Sequence, residues 1–90
     1  MKTWVKVPDK ALKTLLAKDA CAQAAVEFAA QAAREQMQEA GVDLPEYIEL
    51  DSIKIKAAGE SYVVIFAGGL DPVAVETRLR DGRCTAKAAI

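Results

Sequence analysis

The sequence predicts an α+β fold in which a short helix and a long, alanine-rich helix pack on a small antiparallel sheet of three to five strands. Residues 17–33 carry nine alanines within a helical pattern. Residues 62–67 are apolar on both faces of a strand, and residues 73–79 alternate between apolar and polar side chains. Because one helix covers only one face of a sheet, we expect another subunit to cover the second face of the 62–67 strand.

The N-terminal part of the chain is predicted to hold a strand or arm and two helices. Residues 3–7 alternate and predict an edge strand or arm, and apolar spacing predicts a short helix over residues 9–17. Asp19 is a good N-cap for a second helix, so we predict a break just before it, one continuous helix being the alternative. The long helix is expected to end at Ala40, because Gly41 can take the left-handed conformation that follows many helices.

The C-terminal part is predicted to form the sheet. Residues 47–50 and 53–57 alternate in opposite phases, which predicts a bulge or bend between them, at Asp51-Ser52. A hairpin loop at 58–60 leads into the apolar strand. The Asp-Gly pair at 81–82 predicts a tight turn between the last two strands. We therefore divide a single domain into an N-terminal strand or arm (1–8), helices (9–40) and an antiparallel sheet (47–90).

The apolar strand is expected to be central in the sheet and to have two covered faces. Tyr62, Val64 and Phe66 share one face, and Val63 and Ile65 share the other. We expect one face to meet the long helix and the other to meet a neighbouring chain or the N-terminal segment. The predicted interface residues from this argument are Val64, Phe66 and, in the N-terminal arm, Trp4.

Charge is distributed in three blocks, although the net charge is only −1. Residues 1–20 carry net +3, residues 21–51 net −6 and residues 52–90 net +2. This layout suits head-to-tail contacts between copies, and ordinary solvated surfaces are the alternative. The predicted 78–83 hairpin adds Arg78, Arg80 and Arg83 to the interface residues. It has no interleaved aromatic residue on which bases could stack, so we expect no nucleic-acid partner.

The two cysteines, Cys21 and Cys84, do not form a metal-binding pattern, since no second pair and no histidine accompanies them. They could form one disulfide. Thiols stay reduced in the cytosol, and the chain starts without the apolar stretch of a signal peptide, so we expect two free, mostly buried thiols. We expect no metal and no cofactor.

No residues predict catalysis. The chain has no histidine, which excludes nucleophiles activated by imidazole. Glu35 with Glu39, and Glu49 with Asp51, are pairs of carboxylates at close spacing, but such pairs are more typical of solvated surfaces than of acid–base catalysis. The longest uncharged run, residues 61–70, is too short to span a bilayer. We therefore expect neither an enzyme with a small-molecule substrate nor a membrane partner.

Several short stretches resemble the small neck and tail-completion proteins of long-tailed bacteriophages, which join head to tail. These stretches are residues 12–16 before a long alanine-rich helix, Val42-Asp43, Asp51-Ser52-Ile53 and Val75-Glu76. The Thr-Gly that follows Val-Asp in that family is missing here. The resemblance implies a helix-on-sheet fold, assembly into a ring, and no catalysis.

Together these observations favour a structural virion protein, assembled in the cytoplasm of the bacterial host. It would form an oligomeric ring at the head–tail junction or tail terminus, in contact with other virion proteins. The alternative is a small protein-binding module, such as a phage-encoded inhibitor or regulator of a host protein, in which the uncovered sheet face would be the partner site.

Overall fold

The computed structural model describes residues 5–56 and 61–89, and this part of the chain forms two helices and five strands. The predicted α+β class and the strand number are confirmed. In chain order the elements are β1 (Val5–Lys6), α1 (Lys10–Lys18), α2 (Ala20–Glu39), β2 (Ile48–Lys56), β3 (Ser61–Phe66), β4 (Val73–Arg80) and β5 (Arg83–Ala88).

The break between the two helices lies at Asp19, as predicted. Asp19 has an extended backbone, with φ −113° and ψ 103°, and it ends α1 and begins α2. Its Oδ1 accepts hydrogen bonds from the backbone N–H groups of Cys21 (2.9 Å) and Ala22 (3.2 Å). These are donors that the first turn of a helix leaves without partners, so the cap stabilises a new start for α2.

Alanine forms most of the surface that α2 buries. The helix packs on β3, β4 and β5, and five alanines lie with Val26 at the contact. With so little side chain between them, the helix and the sheet can approach closely. The buried alanines are Ala22, Ala25, Ala29, Ala30 and Ala33.

The sheet has the strand order β1-β2-β3-β4-β5, with β3 in the centre as predicted. The strands from β2 to β5 are antiparallel. The prediction of an entirely antiparallel sheet is wrong at one edge, because β1 pairs parallel to β2, with Val5 opposite Ile48. Both helices lie between these two strands in the chain, and a crossover of that length allows parallel pairing.

Two local irregularities agree with the sequence predictions. Leu50 pairs with Phe66 and Ser52 with Ile65, so the extra residue of a bulge lies between Leu50 and Ser52. At the β4–β5 turn, Asp81 and Gly82 have φ values of 53° and 76°. Positive values at both positions are typical of a tight hairpin turn. The predicted loop at 58–60 lies outside the described residues.

The two faces of β3 have different environments. Tyr62, Val64 and Phe66 are at most 2 % exposed and belong to one core cluster, together with residues of both helices. Val63 and Ile65 point to the other side of the sheet and are partly exposed. The division of the strand into these two sets is as predicted, and the helices cover the first set.

The cysteines are joined, so the expectation of free thiols is wrong. A disulfide links Cys21 in the first turn of α2 to Cys84 in β5, whose Cα atoms are 5.0 Å apart. The expectation was based on the reducing conditions of the cytosol, and the sequence contains no information on the distance between the two cysteines. The fold places the start of α2 over the start of β5, which brings together residues 63 positions apart in the chain.

Replacing Asp19 by alanine is expected to lower the free energy of unfolding by about 2–3 kcal/mol, combining a lost helix cap with an unpaired buried hydroxyl. Besides capping α2, Asp19 accepts a hydrogen bond from the Tyr62 hydroxyl, with Oδ2 and Oη 3.1 Å apart. Asp9→Ala is the matched control. Asp9 caps α1 through the same two kinds of backbone bond and is exposed, so its loss should cost only about 1 kcal/mol. Equal effects in urea unfolding would contradict the added role of Asp19.

The fold should lose stability in alkali because of Tyr62. Burial, the hydrogen bond to Asp19 and the negative charge of Asp19 raise the pKa of the Tyr62 phenol to about 12, from 10.0. The folded state therefore holds this proton more tightly than the unfolded state. The resulting stabilisation is complete below pH 10.0 and declines as the pH rises to about 12. The free energy of unfolding, measured across this pH range, should decline less in the Tyr62→Phe variant than in the parent. An identical decline in both proteins would show that Tyr62 is not the group responsible.

Candidate functional site

The acidic side chains and cysteines of residues 5–56 and 61–89 do not converge on a metal centre. No group of three or more histidine, cysteine, aspartate or glutamate residues there is placed to hold a metal ion. The carboxylate pairs considered from sequence, Glu35 with Glu39 and Glu49 with Asp51, are all exposed.

The predicted interface residues fall into three groups. Val64 and Phe66 are 0 % and 2 % exposed and lie in the core beneath the helices, so their assignment to an interface is corrected. Both faces of β3 are apolar in sequence, and only the position of the helices decides which face stays open. Trp4 lies outside the described residues. The three arginines, Arg78, Arg80 and Arg83, are exposed, and their place in an interface stays a prediction.

The surface of the sheet that faces away from the helices, here called the outer sheet face, has a small apolar centre. Val63 is paired on one side with Lys54 and on the other with Ala74, and Ile65 is paired with Ser52. No helix or strand in the described part of the chain covers this centre. Basic side chains surround it on β2, β4 and β5: Lys54, Lys56, Arg78, Arg80, Arg83 and Lys87.

One of these basic side chains is already partly neutralised. The Lys87 ammonium lies 3.7 Å from the Glu76 carboxylate, in an exposed pair between directly opposed residues. Such a pair contributes only about 0–1 kcal/mol and leaves the overall positive character of the face in place.

The end of the β4–β5 hairpin, residues 78–83, is here called the arginine hairpin. Leu79 pairs with Cys84 and therefore lies on the helix side of the sheet, yet it is 65 % exposed. The arginines project from the other side, since Arg78 alternates with Leu79 and Arg80 pairs with Arg83. The hairpin thus presents an exposed leucine on one face and three arginines on the other.

A groove of about 560 Å³ lies at the other end of the molecule, where α2 ends, and is here called the C-terminal groove. It is formed by the end of α2, the segment that connects α2 to β2, and the loop after β3. Its volume is within the usual range for binding pockets. The apolar side chains of the lining are Met37, Ala40, Val42, Pro45, Tyr47, Ile48, Ala67 and Leu70.

The C-terminal groove has acidic margins. Asp43 and Glu49 line it, and Gln36 in the lining donates a hydrogen bond to the Asp71 carboxylate (3.0 Å). The last turn of α2 has no basic residue, so that turn itself places no cation at the partial negative charge of the helix end. Lys6 partly offsets these charges from the Tyr47 side, with its Nζ 5.3 Å from the ring centroid.

Comparison with known proteins finds no matching family model, no matching curated protein and no matching solved structure. Neither described helix is long and apolar enough to cross a membrane.

Sequence reasoning found the arginine hairpin but missed the C-terminal groove. The hairpin is contiguous in sequence and carries a recognisable turn. The groove combines three segments that are separated in sequence. The one local signal that could have indicated it is residues 42–47, an acidic stretch that also contains apolar residues. Val42 and Tyr47 are 56 % and 46 % exposed in the structure.

Proposed function

We propose that this chain is a structural protein that works as a homo-oligomeric ring at the head–tail junction or tail terminus of a bacteriophage. The observation that carries the proposal is the outer sheet face, whose apolar centre has no covering element within the described chain. In an assembly, neighbouring chains bury such surface, and apolar burial is the main favourable term in association. The sequence resemblance to phage neck and tail-completion proteins supplies the viral context.

The separation of charge supports contacts between unlike surfaces. Basic residues are concentrated on the outer sheet face and the arginine hairpin, whereas acidic residues surround the C-terminal groove. Identical basic surfaces repel each other, so a two-fold contact of the outer sheet face with itself is disfavoured. Contacts between unlike patches can close into a ring, which is the form that a junction component needs.

The proposal is tested by the mass of the purified protein. Multi-angle light scattering over a range of concentrations should show a discrete oligomer, and negative-stain images should show rings. If the protein stays monomeric at high concentration and low salt, the chain does not assemble with itself in the absence of a template. That result would favour the alternative function, a module that binds a different protein through the outer sheet face.

Raising the salt concentration should weaken the oligomer without abolishing it. Exposed ion pairs each contribute about 0–1 kcal/mol and are screened by salt, whereas apolar burial is not. The dissociation constant measured by sedimentation should therefore rise with salt and then level off. If the dissociation constant instead falls as the salt concentration rises, attraction between opposite charges does not determine which surfaces meet.

A further inference from the structure

The arginine hairpin and the C-terminal groove lie at opposite ends of α2. The disulfide from Cys21 to Cys84 holds the first turn of the helix beside the hairpin strands. At the other end, Gln36, Met37 and Ala40 line the groove. A helix of 20 residues is about 30 Å long. The hairpin of one molecule therefore cannot reach its own groove, and a contact between the two surfaces requires a second copy.

The two surfaces are complementary in their apolar parts. Leu79 is the most exposed large apolar residue of the described chain, at 65 %. No helix or strand of residues 5–56 and 61–89 buries it, although it lies on the helix side of the sheet. The C-terminal groove offers an apolar lining that includes Met37 and Leu70, and Val42 at its edge is itself 56 % exposed. A leucine entering the groove would bury apolar surface on both partners.

They are also complementary in charge. The hairpin carries Arg78, Arg80 and Arg83 against the single acid Asp81. The groove margin carries Asp43, Glu49 and, beside Gln36, Asp71. An arginine close to the end of α2 would also supply the cation that the last turn of this helix lacks.

We propose that the arginine hairpin of one copy docks in the C-terminal groove of the next, with Leu79 in the apolar lining and the arginines on the acidic margin. The inference rests on the proposed function, since it takes the partner to be a second copy of this chain. Because hairpin and groove are different surfaces, every copy uses both and the contact repeats head to tail. The apolar centre of the outer sheet face, around Val63 and Ile65, then remains available for neighbouring virion proteins.

Two single substitutions test the contact, one on each surface. Leu79→Asp removes the apolar residue and adds a charge that the acidic margin repels. Val42→Lys places a charged side chain at the edge of the groove. Both residues are more than half exposed, so the fold should tolerate the changes. Each variant should weaken self-association at least tenfold, a factor that corresponds to about 1.4 kcal/mol.

Ile55→Asp is the matched control. Ile55 is also an exposed apolar strand residue, at 50 %, and it lies on the helix side of the sheet, away from both surfaces. Its change should leave the oligomer intact. Circular dichroism and thermal unfolding of all three variants separate a lost contact from a lost fold.

Mixing the two variants gives the decisive measurement. Leu79→Asp retains an intact groove and Val42→Lys retains an intact hairpin, so one productive contact can form between them and no further copy can join. Light scattering should show monomers for each variant alone and a species of two subunits for the equimolar mixture. Variants that keep the parental mass, or a mixture that stays monomeric or rebuilds the full oligomer, would overturn the contact.

The outcomes also distinguish this contact from the proposed function. If the parent protein is monomeric, self-assembly is ruled out, and the hairpin–groove contact between copies is ruled out with it. If the parent and the variants form the same rings, only the hairpin–groove contact is ruled out, and the proposed structural role stands.

Discussion

Val64→Asp is expected to unfold the protein or leave it barely folded. Val64 is fully buried on the helix side of β3, in the central strand of the sheet. An aspartate there would be a buried charge without a partner, which costs at least about 3–5 kcal/mol. Domains of this size have a total stability of about 5–15 kcal/mol. Denaturant unfolding followed by circular dichroism should therefore show a large loss of stability or no folded baseline.

The neighbouring residue supplies the control for this prediction. Val63→Asp introduces the same side chain one position earlier, on the outer sheet face, where Val63 is partly exposed beside Lys54. The carboxylate can there remain hydrated and interact with the lysine, so stability should change by about 1 kcal/mol or less. Similar losses from the two substitutions would show that the outer sheet face is buried, or that Val64 does not face the helices.

Removing the disulfide is expected to be the second large effect. The bond between Cys21 and Cys84 closes a loop with a sequence separation of 63. In the chain-entropy model, a loop of that length restricts the unfolded state enough to contribute about 4 kcal/mol. The native contacts at this site offer little compensation, because the β5 residues on the helix side other than Cys84 are Ala86 and Ala88.

The measurement compares thermal unfolding of the parent with and without a reductant, and of the double variant Cys21→Ala with Cys84→Ala. Reduction and the double substitution should each lower the midpoint by roughly 20 °C, since 1 kcal/mol corresponds to about 4–8 °C in a domain of this size. The reductant should have no effect on the double variant. Two titratable thiols in the untreated, folded parent would contradict the disulfide.

A loss of the disulfide should act first on the edge of the sheet. β5 is the edge strand, paired with β4 on one side only, and its first residues lead into the arginine hairpin. Amide exchange in β5 should therefore rise on reduction more than exchange in β3, which is central. If the hairpin–groove contact holds, reduction should also weaken the oligomer, since the disulfide positions the hairpin relative to α2.

The sequence by itself determined the elements whose causes are local. Asp19 caps a helix through donors only two and three residues away, and the alanine-rich pattern alone predicts the face that α2 buries. The bulge near Asp51 follows from a change in the phase of alternation. The Asp81-Gly82 turn follows from the backbone conformation that those two residues tolerate.

Tertiary structure alone decided the features that depend on distant segments. Alternation separates Val63 from Val64, but both sets of β3 residues are apolar, so only the position of the helices shows which set is open. The disulfide, the parallel pairing of β1 and the C-terminal groove all join segments far apart in the chain. Local sequence contains no information on such distances, because they arise only when α2 packs across the sheet and brings its two ends to opposite sides of the molecule.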